Sequence, residues 1–280
     1  VGEILVTNIT KKQLSLFKKD EKKFVLEKIR SPIRYPGSKF GAIKKISANV
    51  NLKDHTEYWE PFFGGGALFF AKPLARKNII NDFNEDLIRF LRIIQNPKTR
   101  KDLIKNVSKF VPNKENFEKL KNSVSTTDLQ SASKYFIINR TCYSGIMNKP
   151  NWGYDEKKSV PPKKWGDRIM IAGEKLSHAN ILNQDFRKFF KRRADSNVFA
   201  FIDPPYFKAD QKRAYSNSFN QKDHMDLLNI LKNAEFKFLL TYDDCDEVRE
   251  LYKDFEIKNE EWMYHTANSN VTTRKKGKEL

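Results

Sequence analysis

Five times this chain runs from a short apolar stretch into a turn rich in glycine or acid, in most cases with a helical pattern behind it. The stretches are "EYWEPFFGGGALFF" (57–70), "KNIINDFNEDLIRFLRII" (77–94), "ANILNQDFRKFF" (179–190), "NVFAFIDPPY" (197–206) and "EFKFLLTYDD" (235–244). Apolar runs of this length suit strands buried on both faces, and strands alternating with helices build a parallel sheet with helices packed on it. The fold class read from this pattern is α/β. Between Pro97 and Ser177 the pattern breaks. "ENFEKLKNSV" and "SASKYFIINRTCY" read as helices, and "SGIMNKPNWGYDEKKSVPPKKWGDRI" carries too much Pro, Gly, Lys and Trp for a sheet unit. Residues 97–177 are therefore expected to form an inserted, mainly helical domain with an irregular basic loop or hairpin, between two parts of a sheet domain, 31–96 and 178–280. Residues 1–30 are expected to be a basic arm with one helix around Lys18–Ile29.

The glycine turn carries the first chemical signal. Gly64, Gly65 and Gly66 follow one strand and open a helix, where bare backbone lets a ligand approach closely. Asp82 ends the next strand 18 positions after Gly64, close to the ~20-residue spacing at which a carboxylate meets ribose hydroxyls. A plain glycine turn with a helix-capping aspartate reads the same way. Glu60 and Pro61 stand where a pyrophosphate would be repelled, so a cationic nucleoside fits better. S-adenosylmethionine is such a ligand, with an adenosine, a sulfonium and an ammonium group. Asp185 is expected to accept from the adenine amino group, and Phe63 and Phe186 to sandwich its ring.

"DPPY" carries the second. Asp203 stands at the mouth of a strand, and Pro204 and Pro205 stiffen the bonds after it. The carboxylate and the Pro204 carbonyl form two acceptors at a fixed separation, suited to the two hydrogens of an exocyclic amine. Tyr206 is expected to stack on the face of the base that carries the amine. The arrangement serves adenine N6, cytosine N4 or an amine in RNA equally, and a catalytically silent DNA reader is a further alternative. A proline-rich turn is the plain one.

Taken together and in order, "RYPGSK" (34–39), "EPFFGGG" (60–66), "NDFNEDL" (81–87), "NQDF" (183–186) and "DPPY" (203–206) resemble the Dam-like, D12-class (alpha-group) DNA adenine-N6 methyltransferases. "FNQKDHMDLLNIL" (219–231) and "TRKKGKEL" (273–280) are weaker echoes. The resemblance implies a Rossmann-like fold with a mostly parallel seven-stranded sheet and one antiparallel strand. It implies S-adenosylmethionine as methyl donor and a flipped adenine in double-stranded DNA as acceptor. Tyr35 and Lys39 would help to hold the donor's methionine end, Pro61 and Phe62 would also belong to the donor site, and Arg34 would face the DNA. The insertion 97–177 falls where the family carries its target-recognition domain. GATC-modifying relatives carry a different hairpin from "NKPNWGYDEKKSVPPKKWGDRI" (148–169), so no recognition sequence is implied.

Charge agrees with a polyanionic partner. The 53 Lys and Arg outnumber the 35 Asp and Glu for a net +18, which favours nucleic acid over a membrane surface, with a lysine-rich composition bias as the alternative. Phosphate contacts are expected from "KKSVPPKKWGDR" (157–168), Lys163 and Lys164 among them, and from "RKFFKRR" (187–193). Asn139 and Arg140 are candidates either for reading base edges or for a buried structural role, and Asn148 and Lys149 are candidates for contact with DNA. Trp152, Tyr154 and Trp165 are candidates either for wedging beside a flipped base or for a small local core. Cys142 and Cys245 stand far apart in no metal-type spacing, and with four His no metal site is expected. No apolar run reaches the ~18–20 residues of a membrane span, and the N-terminus lacks the apolar core of a signal peptide. These features lead to the expectation of a cytoplasmic protein, a monomer or weak dimer, with a cognate restriction endonuclease as a candidate partner.

Overall fold

The computed structural model describes residues 3–10, 26–48, 55–208 and 219–260. Seven strands form one sheet: β1 (Glu3–Thr7), β2 (Glu57–Glu60), β3 (Lys77–Asn81), β4 (Ala179–Leu182), β5 (Val198–Ile202), β6 (Lys237–Asp243) and β7 (Glu256–Glu260). Their order is β4-β3-β2-β5-β6-β1-β7, and β2 to β6 pair in parallel. The five strands read from the sequence are these five. β1 runs antiparallel to both β6 and β7 and is the single reversed strand of the sheet.

The other two strands correct the reading of the sequence. Residues 3–7 are not part of a detached arm; "EILVT" is buried along its whole length inside the sheet. Of the helix expected around Lys18–Ile29, residues 18–25 lie outside the described residues, and 26–29 are irregular. The segment 273–280 also lies outside them.

Helices cover both faces. One face carries α1 (Ile43–Ala48), α2 (Ala67–Ala71), α3 (Glu85–Gln95), α4 (Pro97–Val107), α6 (Asp128–Thr141) and α7 (Trp165–Leu176), with the short α5 (Lys114–Asn122) outside them. The other carries α8 (Phe186–Phe189), α9 (Gln221–Lys232) and α10 (Asp246–Leu251). Side chains alternate along each strand, so Tyr58 and Ile80 enter one core and Trp59 and Ile79 the other. The helices of residues 97–177 share the first core. Phe136 of α6 stacks on Phe90 of α3, and Trp165 of α7 meets Phe136 edge-on. Side chains cap several helix starts: Asn84 accepts from the Leu87 N–H at α3, Asn96 from Lys98 at α4, and Asn220 with Asp223 forms a reciprocal box at α9.

The strand order fixes where a site can lie. From β2 the chain moves to β3 and β4 on one side, then returns to the other side of β2 as β5 and β6. Such a reversal leaves a crevice at the carboxyl ends of the two strands that flank it. Glu60 ends β2, and Asp203 directly follows β5.

Candidate active site

A cavity of about 520 Å³ opens at this crevice. Its wall holds Tyr35 and Lys39 from the segment before α1, and Glu60, Pro61, Phe62 and Phe63 after β2. Gly64 and Gly66, Asp82, Asp185, Phe186, Asp203, Pro205 and Asn148 complete the sequence-predicted residues brought together there. Pro204 is buried and Tyr206 half-buried beside it.

The glycine turn is as tight as its sequence demands. Gly64 and Gly66 have φ of +47° and +62°, and a Cβ on Gly64 would come within 2.8 Å of the Tyr35 ring. Asp82 ties this turn to the next strand. One of its oxygens accepts from the Gly64 N–H at 2.8 Å and the other from Asn84 N–H at 2.9 Å. Burial raises its pKa against those hydrogen bonds. Asn81 clips the neighbouring loops, donating to the carbonyls of Pro61 and Gln184 and accepting from the Gln184 N–H.

Glu60 is buried, and its carboxyl takes a 2.7 Å hydrogen bond from Tyr58 Oη. Burial pushes its pKa up to about 8, with Asp203 adding to the rise and Lys72 opposing it.

Asp203 is wired from two sides. Thr241 Oγ1 of β6 donates to Oδ1 at 2.6 Å, and Lys39 Nζ lies 2.9 Å from Oδ1 and 3.0 Å from Oδ2. The same ammonium donates to the Gly37 carbonyl and sits 4.8 Å from the centre of the Tyr206 ring. Lys39, expected at the donor's methionine end, lines the cavity and also engages the clamp carboxylate. Asp243, at the end of β6, accepts the Phe207 and Lys208 N–H groups at 2.8 Å each, anchoring the chain that leaves "DPPY". Sequence reasoning missed Thr241 and Asp243, although the polar end of an otherwise apolar "FLLTYDD" marks the strand mouth.

The aromatic sandwich differs from expectation. Phe63 packs on Phe69 and Phe70 under Gly66, whereas Phe186 packs on Phe62 and Phe219 in the opposite core. Phe63 and Phe186 thus pack in different cores, and both line the cavity. Phe83 lines the cavity and is 59 % exposed, against 3 % for Phe63. An exposed ring directly after a strand-end aspartate was the signal available in "NDF". Asp185 is also engaged: it caps α8 and pairs with Arg187, which reaches on to Asp223 and Asp226 of α9. Arg187, expected to meet phosphate, is thus saturated by carboxylates.

Several DNA-contact expectations are corrected in the same way. Asn139 is fully buried; its side chain accepts from the Arg34 N–H at 2.8 Å and donates to the Arg34 carbonyl at 2.7 Å. The Arg34 guanidinium caps the end of α6 through the carbonyls of Asn139, Arg140 and Cys142. The Asn139 amide is thus engaged within the fold on both its oxygen and its nitrogen. Trp165 is core, donating from Nε1 to the Val160 carbonyl, and Trp152 is half-buried against Phe117 and Tyr154. Arg140 is different. It is 9 % exposed, its Nε has no hydrogen-bond partner among the described residues, and burial beside Arg34 and Arg168 lowers its pKa to about 10. Lys149, Lys163 and Lys164 are exposed.

Residues 35–266 match the family of D12 class N6 adenine-specific DNA methyltransferases. The chain belongs to this family. The methyltransferase is 27 % identical over 235 residues to the type II methyltransferase M.CviBI of Paramecium bursaria Chlorella virus NC1A, covering 80 % of this chain and 86 % of that one. It is 28 % identical over 227 residues to the type II methyltransferase M1.LlaDCHI of Lactococcus lactis subsp. cremoris, covering 72 % and 78 %. It is 26 % identical over 243 residues to the DNA N-6-adenine-methyltransferase of Escherichia phage P1, covering 80 % of this chain and 31 % of that longer one. The methyltransferase therefore acts on adenine N6 in DNA, and the crevice between β2 and β5 is its candidate active site. Among the described residues no helix is long and apolar enough to cross a membrane.

Proposed function

We propose that this methyltransferase takes its methyl group from S-adenosylmethionine bound in the β2–β5 crevice and delivers it to an adenine rotated out of the DNA duplex. The observation that carries this reading is the position of Asp203: a strand-end carboxylate fixed by Thr241 on the rim of a cavity whose other rim is a glycine turn and a buried acid.

The residues present fit the donor. The cavity lies within the roughly 300–1,000 Å³ typical of small-molecule sites. Gly64 lets the Tyr35 ring pack against the bare turn at the cavity wall, and Asp82 offers its remaining lone pairs to ribose hydroxyls. The Tyr135 hydroxyl is buried at the cavity wall with no hydrogen-bond partner among the described residues, a donor waiting for one. Glu60 would face the cationic methionine portion, and Phe83, rather than Phe63, would meet adenine together with Phe186 and Asp185. When bound, S-adenosylmethionine supplies an electrophilic methyl carbon on a sulfonium.

The chain's own part is to hold the acceptor. Asp203 and the Pro204 carbonyl take the two amine hydrogens, which draws the nitrogen lone pair out of conjugation and exposes it. Tyr206 stacks on the base. The prolines keep the second acceptor still, so little reorganisation remains when charge develops on nitrogen. The basic residues of 97–177, with Arg140 and the exposed Lys149, Lys163 and Lys164, would meet the DNA backbone, and Asn148 lies where the cavity opens toward that segment. The type II names of two relatives support a role in restriction–modification with a cognate endonuclease. We place the protein in the cytoplasm as a monomer or weak dimer.

Equilibrium binding of S-adenosylmethionine by calorimetry tests the donor site. Asp82→Ala is expected to weaken it by about tenfold or more, the loss of a charge-assisted pair of hydrogen bonds. Unchanged binding would overturn the ribose assignment.

A further inference from the structure

An amine arriving at Asp203 must compete with Lys39 for it. The ammonium lies about equally close to both carboxylate oxygens, at 2.9 and 3.0 Å, and Lys39 is 3 % exposed. Pulling a buried ammonium off its carboxylate costs several kcal/mol unless another negative charge receives it. A second, buried carboxylate stands nearby. Glu3 Oε2 of β1 lies 3.9 Å from the same nitrogen, and Glu3 is 4 % exposed. This is ion-pair range, yet about 1 Å longer than a charge-assisted hydrogen bond.

Glu3 is held firmly where it stands. It pairs in register with Asp243 of β6 and Glu260 of β7, and all five residues of β1 are buried. Leu5, two positions on, enters the same core as Ala42 of the turn that begins at Lys39, so Glu3 shares that face of the sheet. Neighbouring Asp243 already accepts the Phe207 and Lys208 N–H groups.

We propose that Glu3 is a positioning residue that receives the Lys39 ammonium when the target amine takes Asp203. This inference rests on the proposed role of Asp203. A displacement of about 1 Å toward Glu3 makes a full hydrogen bond there and loosens the hold on Asp203. The N-terminal strand thereby becomes part of the active site. Neither the glycine turn nor "DPPY" announces it.

The test is a single-turnover methyl-transfer assay on duplex DNA with S-adenosylmethionine, applied to the wild type, Glu3→Gln, Lys39→Met and the double variant. Glutamine keeps the shape of Glu3 and removes its charge. Glu3→Gln is expected to slow the transfer step about tenfold while donor Kd and thermal midpoint stay near wild type. In the Lys39→Met background the same change is expected to have less than about twofold effect, since the cation it serves is gone. A wild-type rate for Glu3→Gln would overturn the proposal, as would an equal drop in both backgrounds, which would show that Glu3 acts through the sheet alone. Transfer by the wild type in the same assay checks the underlying function separately.

Discussion

Asp203 and Glu60 are two carboxyl groups in one crevice with different burdens. Asp203 is half-exposed and held by Thr241 and Lys39, whereas Glu60 is buried with Tyr58, Lys72 and Asp203 around it. Thr241→Val keeps the shape and removes the hydroxyl donor to Asp203. A loss of about tenfold in single-turnover rate is expected with donor affinity unchanged, because the carboxylate loses one of the bonds that orient it. For Glu60 the sign follows from its raised pKa, about 8 against the usual value near 4.5. Below that usual value the folded and unfolded chains are both protonated there. As pH rises toward 8 only the unfolded chain ionises, so this group's contribution to stability falls across that window and levels off above it. A cationic ligand favours the ionised form. Donor affinity should therefore rise with pH up to about 8, with release of a proton on binding, measurable by calorimetry in buffers of different ionisation enthalpy. Glu60→Gln should flatten that dependence. The importance of the Glu60, Gly64, Asp82 and Asp203 positions was legible because each is a polar or bare residue at the end of an apolar run. The partners of Arg34 and Asn139 were not legible: residue type is shared by DNA contacts and by internal caps, and only the fold shows that these two satisfy each other.

Among the elements, the strands that the sequence disclosed are those flanked on both faces, β2 to β6, whose apolar runs exceed what a helix stripe requires. β1 and β7 were hidden for opposite reasons. "EILVT" is apolar but stands among lysines, and only pairing with β6, far along the chain, makes it a strand. "EIKNE" of β7 is an edge strand whose polar residues blunt the edge, so it carries little periodic signal. The boundary expected at residue 97 does not separate two cores, because α4, α6 and α7 pack on α3. One consequence is testable. Arg34 joins the segment before α1 to the end of α6 through carbonyl bonds of 2.7–2.9 Å. Arg34→Ala should destabilise the protein by roughly 2–4 kcal/mol in chemical unfolding, since buried carbonyls lose a charged donor. A change within about 0.5 kcal/mol would show that the contact contributes little.

At the scale of the whole molecule, the chain carries a net charge of +18, while the crevice is lined by carboxylates such as Glu60, Asp82, Asp185 and Asp203. Attraction to DNA is then general and the chemistry local. If roughly six to ten phosphates are met, DNA affinity should fall about 10³–10⁵-fold between 50 and 200 mM salt. Lys163→Ala with Lys164→Ala should reduce the log–log slope by about 2 without altering donor binding, and an unchanged slope would remove that loop from the interface. The account as a whole stands on the carboxylate at the end of β5. Its most direct measurement is mass analysis of nucleosides from DNA incubated with S-adenosylmethionine and either the wild type or Asp203→Ala. The account predicts N6-methyladenine with the wild type and none with the variant. Methylcytosine in place of methyladenine, or equal methyladenine from both proteins, would contradict it.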